Sequence, residues 1–507
     1  MSMRSLPQTR QARPGVTTTI VIVLLVLGSV LVVLFGASTT DLPSRQIVYG
    51  SLALFLLGLA SAVGMAREIG LRRSLASGQL GPYFGLSTAV IFGLASLIWA
   101  SSNPPSQQAA IVSLDSVLFA MLVVATGLAC FVLGYMVVAT GPLNPAGSWL
   151  RRLIVTERPF RSGQRPAWLL MGLALIADVT LVLLGSFGYL SDPVQSVSSA
   201  NPLTQPLSTV GTFSVFAVAL SAYDYAHRRG PRRLLSFSIL LGVQSGLGIF
   251  SGVKETIVMG FVAALLGYAA RVRRLPLLPV FVAALVFVFV LVPINTNYRS
   301  AISTGNSRLS PLEAIQQFSQ QGIGSFLALT QNATQSTQAQ SLVRISRIGD
   351  VGIIVQQTPS YIPNRPLSEL LEAPGLGLVP RLLWPDKPIL ATGYLFSQQY
   401  YQLPAYIYTS NAVTPQGDLW RHGGWPILVA GMMLLGVGVR ILDNATVKVS
   451  DYPLCLLLLL VFFPLIVKQE TDIVSLAAAI PSLLLGVAVA ARLVTLGTDP
   501  NPKHAAV

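Results

Sequence analysis

"SVLFAMLVVATGLACFVLGYMVVAT", residues 116–140, runs for 25 residues without a charged side chain. At 1.5 Å per residue a helix of that length measures about 37 Å, enough to cross a hydrocarbon layer roughly 30 Å thick. Inside lipid a single segment can satisfy its own backbone N–H and C=O groups only as a helix. This stretch therefore reads as a transmembrane helix, and eleven further apolar runs repeat the signal: 17–36, 48–66, 84–101, 167–189, 207–226, 234–251, 255–270, 276–294, 425–442, 452–467 and 473–494. Of the 507 residues, 52% are hydrophobic and only 10% charged, with a mean hydropathy of +0.66. A soluble domain carries roughly 25% charged residues. The expectation is an all-α polytopic membrane protein of about twelve helices. The first run lacks an A-x-A site and is as long as a full span, so it reads as an uncleaved helix rather than a signal peptide.

The net charge of +14 would suggest nucleic acid in a soluble protein, but its distribution argues for topology instead. With the N-terminus inside, 22 of the 33 basic residues fall in segments on one side, among them Arg72, Arg73, Arg151, Arg152, Arg228, Arg229, Arg271 and Arg273. The short loops on the other side hold only Arg45, Lys254 and Lys468. By the positive-inside rule both termini are expected to be cytoplasmic. Cys130 and Cys455 lie in apolar runs and imply neither a disulfide nor a zinc site.

The organisation that follows is a tail over 1–16, nine helices over 17–294, a large outer loop domain over 295–424, three helices over 425–494, and a tail over 495–507. The other eight basic residues all fall in the outer loop. Within it, "SPLEAIQQF" has Ser310, Pro311 and Glu313 placed as a helix start. "SELLEAPG" reads as a short helix stopped by Pro374 and Gly375. "PRLLWPDKP" (380–388) then reads as a stiff extended turn.

Candidate site residues come from this loop and the helix ends beside it. Arg299, Arg344, Arg347, Arg365, Arg381, Lys387 and Arg421 form a basic set in a protein whose other outer loops avoid cations. Arginine offers planar, bidentate donors to phosphate oxygens, so the set points to anion binding. Arg344 and Arg347, three apart, would share a helix face. Trp384 either stacks on a sugar ring or anchors at headgroup depth, with Arg381 and Lys387 on a phosphate or snorkelling beside it. In "GDLWRHGGWP" (417–426), Asp418, Arg421 and His422 bring an acid, a cation and an imidazole together, and His422 is a candidate base. Lys254 with Glu255, and Lys468 with Glu470 and Asp472, stand at helix ends, where mutual ion pairing is the simpler reading. Asp178, inside an apolar run, must be neutral, paired or turned to a polar cavity. No D-x-D occurs and outer carboxylates are few, so no metal site and no cofactor are expected. No internal repeat is visible, which weighs against paired-repeat transporters.

Three stretches together resemble the Wzy-type oligosaccharide repeat-unit (O-antigen) polymerases: "IFSGVKETIVMG", "GLVPRLLWPDKP" and "TPQGDLWRHGGWPILVAGM". The chain departs from that pattern at Lys254, where arginine is more usual, and at His422. The resemblance implies a membrane glycosyltransferase of GT-C-like architecture in the bacterial inner membrane. It implies a glycan linked to undecaprenyl diphosphate as substrate, membrane lipid around it, and a chain-length regulator and flippase of the same pathway as partners, with no nucleic acid. In that frame Arg381, Asp418 and His422 are the candidate catalytic residues. Lys254, Arg299, Arg344, Arg347, Arg381, Trp384, Lys387 and Arg421 are the candidate ligands of diphosphate and glycan. A ligase sharing the chemistry, or a flippase or transporter of lipid-linked sugars, is the alternative.

Overall fold

A computed structural model describes residues 43–66, 70–100, 111–140, 145–154, 164–188, 201–276, 303–304, 307–308, 345–379, 381, 383–388, 390–407, 410–447, 449 and 452–496. The regular structure among the described residues is helical, apart from two two-residue strands, β1 (Ser303–Thr304) and β2 (Ser307–Arg308), paired antiparallel. In chain order the helices are α1 (Pro43–Met65), α2 (Leu71–Ala76), α3 (Leu80–Thr88), α4 (Leu114–Thr140), α5 (Ala146–Ile154), α6 (Gln164–Leu183), α7 (Thr204–Gly211), α8 (Phe213–His227), α9 (Pro231–Ser251) and α10 (Lys254–Val272). After the strands come α11 (Ile348–Gln357), α12 (Ser368–Leu378), α13 (Thr392–Tyr401), α14 (Pro415–Arg421), α15 (Gly424–Thr446), α16 (Cys455–Val467) and α17 (Ile473–Leu496).

Among the described residues, nine segments have the length and apolarity to cross a bilayer: Arg45–Met65, Leu80–Trp99, Leu114–Val138, Gln164–Leu183, Thr204–His227, Pro231–Ser251, Lys254–Val272, Gly424–Thr446 and Ile473–Thr495. Each coincides with one of the expected runs. The run at 452–467 forms a helix of only 13 residues, α16. The run at 17–36 and residues 277–294 of the run at 276–294 lie outside the described residues, as do Arg299, Arg344 and the "SPLEAIQQF" segment. The protein is a polytopic helical membrane protein.

Close packing of the bundle uses glycine where two backbones meet. A Cβ on Gly134 would run into the carbonyl of Met433, and one on Gly436 into that of Phe131, so α4 and α15 touch backbone to backbone. Without a hydrophobic drive between helices in lipid, such small-residue contacts supply the van der Waals attraction. Far from the large loop, Asp443 of α15 accepts from the free N–H groups of Leu80 (2.6 Å) and Gly81 (3.0 Å) and from the Tyr135 hydroxyl (2.8 Å). A carboxylate on the unpaired donors of a helix start is a favourable placement, and here it fixes α3 against α4 and α15.

Two expectations for the loop change. α12 does not stop at Pro374 and Gly375 but continues to Leu378. The missing Pro374 N–H removes one helical bond, and packing of Ala373 against Val474 and Ala478 of α17 holds the helix through it. Arg347 is not on a helix face, because α11 begins only at Ile348 and Arg347 is the residue that precedes it.

Candidate functional site

At one end of the bundle α11, α12, α14 and the 468–472 turn gather, and Arg347, Asp350, Arg365, Glu369, Asp418 and Arg421 of the large loop meet there. α14 is the centrepiece. Thr414 caps it by accepting from Gly417 N–H at 3.1 Å, Pro415 occupies the first position, and all seven residues are buried. Proline there costs no hydrogen bond and the threonine satisfies one otherwise orphaned donor. The three-residue spacing of Asp418 and Arg421 puts them on one face. The Arg421 Nε and Nη2 lie 2.8 and 2.7 Å from Asp418 Oδ1. The other oxygen, Oδ2, accepts from Ile473 N (2.8 Å) and Val474 N (3.3 Å), the first donors of α17. Asp418 is therefore a pin between α14, Arg421 and α17, with both oxygens engaged. Arg421, wholly buried, has both terminal nitrogens without a hydrogen bond among the described residues, Nη2 keeping only its ion-pair contact to Asp418.

His422 follows directly. Its Nδ1 lies 2.7 Å from the Asp418 carbonyl oxygen, which can only accept, so Nδ1 carries a proton. That leaves Nε2 directed toward Glu369 Oε2 at 3.6 Å. Glu369 is held in turn by Arg365 Nε at 2.8 Å, and the Arg365 backbone N–H donates to the Arg421 carbonyl at 2.8 Å. The order Arg365, Glu369, His422, Asp418, Arg421 is a chain of groups in alternating charge roles joining α12 to α14.

A second chain lies beside it. Arg347 donates to Glu470 Oε1 through Nε (3.1 Å) and Nη2 (2.5 Å), and to Asp350 Oδ2 through Nη1 (3.4 Å). Asp350 also accepts from the Tyr401 hydroxyl at 2.5 Å. Burial raises the Asp350 carboxyl above its ordinary value despite the pull of Arg347 and Tyr401. Burial opposes the Arg347 charge, yet Asp350 and Glu470 outweigh it and hold its pKa high. Lys468 reaches Glu255 at 2.6 Å and Glu470 at 3.7 Å, the mutual pairing expected for these helix ends. Lys254 stands next to Glu255 at the start of α10, after the left-handed turn at Gly252 (φ 66°).

Between the two chains the backbone of Gln469 is left-handed (φ 52°) and its side chain is fully buried. Its Nε2 lies 2.6 Å from Ser87 Oγ, 2.7 Å from Thr88 Oγ1 and 3.1 Å from the Phe84 carbonyl, while its Oε1 accepts from Gln416 at 3.3 Å. A non-glycine residue held in that conformation costs energy that its surroundings must repay, and these bonds do so. The helix it grips turns π-helical at Ala89–Gly93, just after Thr88.

The described residues of "PRLLWPDKP", Arg381 and 383–388, form a separate loop. Arg381 donates to the carbonyls of Pro385 (3.2 Å) and Pro388 (3.3 Å), and Lys387 to that of Val379 (3.1 Å) and to Gln205 (3.5 Å). Prolines contribute acceptors but no donors, so the two cations supply what the loop's backbone lacks. Neither pairs with a carboxylate among the described residues. Lys387 is 8% exposed, and burial, followed by the nearby Arg381, lowers its pKa. Trp384 is exposed.

An apolar groove of about 600 Å³ runs along α15, walled by α16 and α17. Leu150 of α5 lines one end, and Leu367, Leu370 and Leu419 line the other. Leu367 and Leu419 are each two residues from a cation of the alternating chain, Arg365 and Arg421.

The structure thus gathers Arg347, Asp418, Arg421 and His422 around the 468–472 turn. It places Arg381, Trp384 and Lys387 on their own loop. Glu369, Asp350, Gln416 and Gln469 belong to the gathered site without having been singled out as site residues. The i,i+4 spacing of Arg365 and Glu369 was a legible signal, whereas nothing local marks Gln469. Among the described residues no three His, Cys, Asp or Glu side chains converge as a metal site.

Among the described residues, nine membrane-length segments with a buried charged cluster at one end define a polytopic membrane protein with a polar site at one end of its bundle. Residues 177–449, more than half of the chain, match the family model described as a domain of unknown function (DUF8712), and the chain belongs to that family. No curated protein matches it, and no solved structure does.

Proposed function

We propose that the protein is a membrane glycosyltransferase that polymerises oligosaccharide repeat units carried on undecaprenyl diphosphate. It would work at the outer face of the bacterial inner membrane, with twelve spans and both termini cytoplasmic. The observation that carries this reading is the groove along α15, an apolar channel suited to a polyprenyl tail, lined at one end by Leu367 and Leu419, each two residues from a cation, Arg365 and Arg421. A lipid-linked diphosphate has that same division, a long hydrocarbon joined to a compact dianion.

In the transfer, an acceptor hydroxyl oxygen bonds to the anomeric carbon of the donor glycan. The bond from that carbon to the diphosphate oxygen breaks, and undecaprenyl diphosphate leaves with the electron pair. Arg365, a quarter exposed and two residues from the groove-lining Leu367, is the cation we assign to the growing negative charge. Arg421 lies behind it, locked to Asp418, and acts as a positioning residue. The acceptor proton passes to His422 Nε2, the ring nitrogen left as the base by the Nδ1 contact to the Asp418 carbonyl, and Glu369 Oε2 at 3.6 Å offsets the charge that forms on the ring. Arg381 and Lys387, two neighbouring cations without a carboxylate partner among the described residues, offer a second anion contact on the "PRLLWPDKP" loop.

The test is transfer by purified protein given lipid-linked repeat units. A charge-assisted contact contributes about 1.5–3 kcal/mol, so Arg365→Ala should slow elongation by about 10- to 150-fold. Glu369→Gln should slow it with an altered pH profile. Arg381→Ala should remove polymer while the protein level stays near normal. Full activity in all three variants would refute the proposal.

A further inference from the structure

The large loop is not wholly an aqueous domain: we infer that α12 (Ser368–Leu378) is a lipid-seated helix whose leucine stripe is covered by bilayer acyl chains. Three faces of this helix can be told apart. Ala373 and Gly377 pack on α17, and a Cβ on Gly377 would run into the Ala478 carbonyl, so the two helices touch at the backbone. Leu367, Leu371, Pro374 and Leu378 recur at i, i+4, i+7 and i+11, a single stripe of a helix. Their leucines are 47%, 81% and 70% exposed. Ser368, Glu369 and Glu372 occupy the third face.

The depth of the contact decides what covers the stripe. Ala478 lies five residues inside the spanning segment that begins at Ile473, about 8 Å along its axis. α12 is therefore held beside a membrane-crossing helix below that helix's end, not above it. The stripe is also continuous with surface that must face lipid. Leu367 and Leu371 line the same groove as Leu434, a 70% exposed residue of the span Gly424–Thr446, and α17 presents exposed Ile480, Leu485 and Val489 further along. An apolar stripe at that depth, joined to lipid-facing leucines and bordered by glutamates on the opposite edge, has the pattern of a helix at the acyl-chain boundary.

The inference concerns the membrane boundary and does not depend on the glycosyl-transfer reading. It is tested with single environment-sensitive labels on the full-length protein in lipid nanodiscs, at Leu371→Cys, Leu378→Cys, Glu372→Cys and Leu485→Cys. Cys130 and Cys455 are buried, and the unsubstituted protein gives the background. Positions 371 and 378 should follow the lipid reference at 485, with blue-shifted emission, quenching by doxyl-labelled lipid and loss of iodide quenching. Position 372, one residue from 371, should show the reverse. Iodide quenching at 371 and 378 equal to that at 372 would place the stripe in water and overturn the inference. Protection of 371 and 378 from both quenchers would mean that protein covers it, and would overturn it equally.

Discussion

Removing Asp418 should destabilise the protein more than removing the arginine it pairs with, and the two losses should not add. Asp418→Ala strands Arg421 in a fully buried position, where breaking an ion pair by deleting one partner costs about 3–5 kcal/mol. It also strips the cap from Ile473 and Val474, which adds about 1 kcal/mol. Arg421→Met is milder, because Asp418 keeps two backbone N–H donors at 2.8 and 3.3 Å. In the double variant no uncompensated charge remains, so a coupling of about 1–3 kcal/mol should appear. Unfolding in mixed micelles titrated with SDS measures all four corners of the cycle. Asp418→Asn should fall between wild type and Asp418→Ala, since its amide oxygen still caps α17. Additivity within about 0.5 kcal/mol would mean that the pair is not the pin described here.

Three further expectations follow from the same geometry. Burial, then the neighbouring Asp418, raises the Asp472 carboxyl above its ordinary value; a group raised in the folded state contributes stability at low pH that is lost as pH rises through its folded pKa. Asp472→Asn keeps the contact to Ser475 N–H (2.7 Å) without the charge, so its melting temperature should gain on wild type from pH 4 to pH 8, and a pH-independent difference would contradict this. Gly377→Val should push α12 off α17, seen as a lower melting temperature and greater protease sensitivity near Leu378; unchanged values in both would refute the close contact. Polymer formation should persist in excess EDTA, since several cations and no carboxylate-held metal are assigned to the leaving group; loss restored by magnesium would reverse that assignment.

How much of this was legible in the sequence depends on the range of each interaction. The spans were readable because lipid demands about 20 apolar residues in a row, a purely local pattern. Asp418, Arg421 and His422 were readable as a group because five residues hold them together. Their roles were not, since what fixes Asp418 is the start of α17, 55 residues away. Arg347 looked like a free phosphate ligand, but Glu470, 123 residues on, claims it. The cations of "PRLLWPDKP" suggested a ligand site, yet their first partners are their own loop's carbonyls. α12 was expected to end at Pro374 because local rules say so; its contact with α17 overrides them.

The measurement that bears most directly on the central claim is deletion of the gene in its source organism, with the surface glycan resolved on a gel. Loss of a repeat-unit polymerase should leave a single repeat unit on the acceptor in place of the ladder, restored by the wild-type gene and not by Arg365→Ala. An unchanged ladder, or the disappearance of every glycan-bearing band including the single unit, would contradict it.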